Sequence, residues 1–128
     1  MNIVDSSGWL EYLAAGPNAG FFTKPIEDTK ELLVPSISIY EVFKRVFQQK
    51  SENEALQVIA LMQQGQVVNL DPSIAISAAR VSIQHQMPMA DAIMLATARN
   101  NKAILWTQVS HFEGIQNVNY KRAAPSAK

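Results

Sequence analysis

MNIVDSSGWLEYL, residues 1–13, passes from strand to helix within a few residues. Ile3 and Val4 form a short apolar run, Asp5 ends it, and the polar pair Ser6 and Ser7 leads into Trp9, Leu10 and Leu13, whose spacing is helical. In open α/β sheets, ligands bind in the crevice beyond the carboxyl ends of the strands. An acid at the end of a first strand is therefore placed for chemistry.

The same alternation runs through the chain. Strand-like runs occupy residues 2–5, 32–36, 67–70 and 103–107, with a weaker one at 118–120, and all are short and apolar, as strands covered on both faces should be. Helical patterns fill the intervals at 7–14, 38–49, 52–64, 73–86 and 90–100, and a further one at 19–30 is interrupted by Pro25. This order implies an α/β protein: a three-layer α/β/α sandwich with a mainly parallel, short-stranded sheet. Residues 1–122 read as a single domain and 123–128 as a flexible C-terminal tail.

Composition narrows the function classes. A chain of 128 residues that is 48% hydrophobic is long enough for one well-buried domain. Eleven basic against eleven acidic residues exclude a polybasic tail or an acidic disordered activator, and the absence of cysteine excludes disulfides, thiolate zinc sites and cysteine nucleophiles. No run approaches the roughly 20 apolar residues that span a bilayer, and no leader pattern is present, so the expectation is a soluble, cytoplasmic protein without a membrane partner.

Three acids recur at strand-to-helix junctions or one turn into a helix: Asp5, Glu41 in PSISIYEVFKR, and Asp91 in PMADAIMLATARN. Each has a structural explanation. Asp5 suits a helix N-cap, and Glu41 and Asp91 suit the positive end of a helix dipole. Three carboxylates gathered at one sheet edge would nevertheless repel one another unless a cation compensates them. Asp5, Glu41 and Asp91 can hold one magnesium, mostly through its waters.

VDSSGWLEYL, PSISIYEVFKR and MADAIMLATARNNKAILWTQ, in this order and spacing, resemble the PIN-domain ribonucleases, especially the VapC-type toxins of bacterial toxin–antitoxin pairs. The resemblance runs from Met1 to about Tyr120. It implies a compact α/β/α sandwich, an acidic pocket holding magnesium or manganese, endonucleolytic cleavage of RNA, a homodimer, and a cognate antitoxin as partner. Asp5, Glu41 and Asp91 match the family's metal-binding acids. Thr107 matches the threonine ending the fourth strand and Ser6 the hydroxyl residue after the first acid; both would orient carboxylates or a water.

One position departs from the family pattern. The threonine is usually followed two residues on by an aspartate, whereas this chain reads Thr107-Gln108-Val109-Ser110-His111-Phe112. Valine cannot ligate a hard cation, which puts a second metal position in doubt. The polar neighbours Thr107, Gln108 and Ser110 place residue 109 at a wet edge facing the acids, so that Val109→Asp should restore a ligand. His111 reads as a surface or packing residue, and His85 as structural. Lys44 and Arg45, which follow Glu41 on one helical segment, are the candidate phosphate contacts. Trp9, Tyr12, Tyr40, Phe43 and Phe47 recur at helical spacings that suit a packed face or a subunit interface.

The leading expectation is a divalent-metal-dependent endoribonuclease acting as a toxin. The alternative is a catalytically weakened PIN-fold protein that binds RNA or an antitoxin-like partner without efficient cleavage. A receiver-like phosphoacceptor domain also puts an acid after a strand, but it wants paired acids near the first strand and a lysine ending a late strand, and neither is present.

Overall fold

Successive residues of a strand point to opposite faces of a sheet, and Ile3 and Val4 use this to enter two different cores. In the computed structural model, which describes residues 1–125, Ile3 joins Leu33 and Leu105 on one face, while Val4 joins Leu32 and Val34 on the other. The strands are β1 (Asn2–Val4), β2 (Leu32–Pro35), β3 (Gln66–Val68), β4 (Ile104–Thr107) and β5 (Val118–Tyr120). They form one sheet in the order β3-β2-β1-β4-β5, and every pairing is parallel. β1 is central: Ile3 is in register with Leu33 on one side and Leu105 on the other.

Six helices cover the two faces. On the first, α5 (Pro72–His85) and α6 (Met89–Asn100) pack Ile74, Ala78 and Val81 and the unbroken buried run Ala92 to Ala98 against the sheet, with Phe112 closing the cluster. On the second, α1 (Ser6–Leu13), α2 (Ala19–Glu27), α3 (Ser36–Gln49) and α4 (Glu52–Met62) bury Trp9, Phe22, Ile26, Val42 and Met62. These helices and the sheet between them make the three layers read from the sequence. Gly8 permits the closest approach, since a Cβ there would lie 2.6 Å from both the Phe22 and Val4 side chains. No larger residue fits between α1, α2 and β1 without moving one of them.

Two element boundaries differ from those expected. Pro25 does not interrupt the second helix; it lies buried inside α2, which ends two residues later at Glu27, before a 3-10 turn at Thr29–Glu31. Proline removes one N–H, and so close to a helix end only the last turn feels the loss. β3 pairs through Gln66–Val68, while Leu70, expected inside the strand, is 47% exposed, and Asp71 beyond it caps α5 by accepting from the Ile74 N–H at 2.8 Å. Of the expected tail, residues 123–125 are exposed and without regular secondary structure, and 126–128 lie outside the described residues.

Candidate active site

The carboxyl ends of β1, β2 and β4 lie side by side; Asp5 follows β1, Glu41 lies on the helix after β2, Thr107 ends β4, and Asp91 comes from the start of α6. Asp5 is the N-cap of α1: its Oδ1 accepts from the Gly8 N–H at 2.9 Å and from the Ser7 hydroxyl at 2.8 Å. Its Oδ2 accepts from the Thr107 hydroxyl at 2.5 Å, and the Thr107 oxygen in turn accepts from the Val109 N–H at 3.0 Å. The capping and site readings of Asp5 are thus one geometry. One oxygen starts the helix, and the other is tied to the end of β4.

Asp5 is only 4% exposed, and burial raises its pKa from 3.8 to about 6. The bonds from Thr107, Gly8 and Ser7 pull in the opposite direction, and the nearby charge of Asp91 adds a smaller push upward. A carboxylate held by three donors yet still hard to ionise lacks positive charge in its surroundings.

Glu41 lies in the second turn of α3, whose first turn is closed by the Ser38 hydroxyl donating to the Pro35 carbonyl at 2.6 Å. Ser6, the first residue of α1, donates to Glu41 Oε1 at 2.5 Å and so couples this acid to the segment carrying Asp5. Asp91 stands in the first turn of α6, immediately before that helix's buried run. Its Oδ2 lies 2.7 Å from His111 Nδ1, within hydrogen-bond distance. Among the described residues, no three His, Asp or Glu side chains stand close enough to form a ready-made set of direct metal ligands. Lys44 and Arg45 line a shallow hollow of about 270 Å³ with Tyr40, Glu41 and Gln48.

Residues 3–113 match the PIN domain family. The chain belongs to that family. No curated protein sequence matches it. Among solved structures, it resembles a toxin–antitoxin complex from Klebsiella pneumoniae at 20% identity and a TM-score of 0.76, covering 93% of this chain and 96% of that one. A DNA-bound VapBC from Salmonella typhimurium matches at 13% identity and a TM-score of 0.73, with 94% and 96% covered. VapC20 from Mycobacterium tuberculosis, described as a sarcin-ricin loop cleaving toxin, matches at 14% identity and a TM-score of 0.66, with 80% and 85% covered. At these identities the likeness is one of fold.

Within this PIN domain, position 109 is not where its polar neighbours suggest. The Val109 side chain is half-buried and packs against the α5–α6 core, while only its backbone N–H turns toward Thr107. The segment goes straight into a 3-10 turn, Ser110–Phe112, that drives Phe112 into the core and brings His111 to Asp91. His111, read from sequence as a surface or packing residue, is half-exposed but bonded to a site acid. Its signal was its place one residue before a buried Phe at the end of a site loop. Ser7 reads from the sequence only as part of the polar pair that opens the first helix, and its bond to Asp5 gave no further signal.

Proposed function

We propose that this PIN domain is a divalent-metal-dependent endoribonuclease and the toxin of a toxin–antitoxin pair. The observation that carries the reading is Asp5: a buried carboxylate at the sheet's carboxyl edge, oriented by Thr107 and Ser7, with its pKa raised to about 6 and Asp91 close enough to add to that rise. The donor chemistry fits magnesium or manganese. Asp5, Glu41 and Asp91 offer hard oxygens, and an ion that keeps several of its own waters needs few direct ligands. When bound, such a cation supplies an activated water and offsets charge on the phosphoryl oxygens.

The chain's own residues do the positioning. Thr107 and Ser7 fix the plane of the Asp5 carboxylate, Ser6 draws Glu41 toward α1, and His111 holds one oxygen of Asp91. Lys44 and Arg45, beside Glu41, take substrate phosphates. The antitoxin and a second copy of the chain are the protein partners. The exposed ridge of α3, with Tyr40 60% and Phe47 45% exposed, supplies apolar surface for one of them. No helix among the described residues is long and apolar enough to cross a membrane, and the reading places the protein in the cytoplasm.

One observation favours the second reading, a PIN domain that binds RNA or an antitoxin-like partner but cleaves poorly: Val109 packs into the core and supplies no fourth carboxylate. Purified protein incubated with structured RNA, with manganese or with chelator, separates the two. Cleavage that needs the metal, and that drops ~100-fold in Asp5→Asn, Glu41→Gln and Asp91→Asn through loss of about 3 kcal/mol of transition-state stabilisation, supports the nuclease. RNA binding without metal-dependent cleavage supports the weakened form.

A further inference from the structure

Asn18 is a buried polar residue that the site described above does not use. It is 6% exposed, and its Nδ2 donates to two acceptors at 3.0 Å: Gln108 Oε1 in the site loop and the backbone carbonyl of Arg122. Its own N–H donates to Glu11 Oε2 at 2.7 Å. A buried amide with such partners pins whatever it touches. Here it pins the point at which the chain leaves the sheet, a place where backbone ordinarily frays.

That exit lies beside Thr107, the partner of Asp5. Tyr120 is in register with Thr107, and the Lys121 N–H donates to the Thr107 carbonyl at 3.0 Å, so Lys121 and Arg122 leave β5 beside the residue whose hydroxyl holds Asp5. Both are exposed, and among the described residues neither has a carboxylate within ion-pair distance. Lys121 lies 5.9 Å from the centre of the Phe21 ring, on the face covered by α2. In the sheet order, the acids stand between two cationic flanks: Lys44 and Arg45 on the helix after β2, and Lys121 and Arg122 after β5. Three strand spacings, about 14 Å, separate β2 from β5.

We propose that Lys121 and Arg122, locked in place by Asn18, form the second phosphate-binding wall of the site, and that single-stranded RNA lies across the carboxyl edge of the sheet between this wall and Lys44 and Arg45. The inference rests on the ribonuclease reading and adds the direction of the substrate strand. Lys121 and Arg122 act as substrate contacts and Asn18 as a positioning residue.

The test is binding of a fluorescent oligouridylate to the full-length protein in chelator, where no cleavage occurs, over a range of salt concentrations. Each phosphate contact to a single strand contributes about 0.7 to the slope of log affinity against log salt, so Lys121→Ala with Arg122→Ala should lower that slope by about 1.4 and weaken binding roughly tenfold at low salt. Lys30→Ala, just before β2 at the opposite edge of the sheet, should leave slope and affinity unchanged. Asn18→Ala keeps both charges and should weaken binding by a smaller factor while the protein stays folded by circular dichroism. Equal affinity and slope in the wild type and the double variant overturn this inference alone. A wild type that binds no RNA overturns the ribonuclease reading with it.

Discussion

Asp5 and Asp91 are both aspartates at the carboxyl edge of one sheet, held in opposite ways. Asp5 is nearly inaccessible, and three donors from two segments set its orientation. The Asp91 side chain is 24% exposed and has His111 as its partner, itself 53% exposed. One wall of the pocket is therefore fixed by the fold and built into the centre of the sheet. The other sits on a helix end and a surface turn, where a single rotamer change re-aims it.

The largest effect expected from this contrast is in the pH dependence of stability. Asp5 binds its proton more tightly folded than unfolded, so its stabilising contribution is complete below pH 3.8 and is lost as pH rises through about 6. The shift corresponds to ~3 kcal/mol. Chemical denaturation of the protein in chelator, between pH 4 and 7, should show this loss, and Asp5→Asn should remove it. Profiles that coincide for the wild type and Asp5→Asn would mean that the buried wall is not strained by charge.

Thr107→Val attacks the same wall from the other side. It deletes the donor to Asp5 Oδ2 and orphans the Val109 N–H, which should cost about 2 kcal/mol in urea denaturation and raise the Asp5 pKa further, whereas Thr107→Ser should behave almost as wild type. If valine costs nothing, the hydroxyl is not what holds Asp5. Val109→Asp should lower stability by roughly 1 kcal/mol or more without improving cleavage, because it moves a charge toward the α5–α6 core. Tighter magnesium binding by calorimetry, with unchanged stability, would show instead that position 109 faces the acids. The smallest effect belongs to the exposed wall: His111→Ala should change the melting free energy by no more than about 0.5 kcal/mol. A loss as large as that of Thr107→Val would erase the distinction between the walls.

The layered parallel architecture was legible because the strands, apolar on both faces, are punctuated by Asp5, Pro35 and Thr107, each followed by a helical or turn pattern. The junction at Asp5 was legible for the same reason: a polar residue at the end of an apolar run has few places to go. Side-chain direction in the loop after β4 was not. Thr107, Gln108 and Ser110 suggested a wet segment, but the pull of Phe112 into the core turns Val109 inward and His111 outward, and that contest is decided by tertiary packing the sequence does not display. The link from Asn18 to Gln108 and Arg122 was equally hidden, since it joins positions 90 and 104 residues apart.

The central place of β1 also has a consequence in time. The first strand of this domain pairs with β4, and Asp5 is held by a hydroxyl 102 residues downstream. Until Thr107 is available, a growing chain has the carboxylate but not the donor from β4, and the core face formed by Ile3 and Leu33 lacks Leu105. Contacts of such long sequence separation form slowly, after their loop has closed. The site therefore comes together only once β4 has been made, and a chain cut between Asp91 and β4 carries all three acids but not the hydroxyl that orients the first of them.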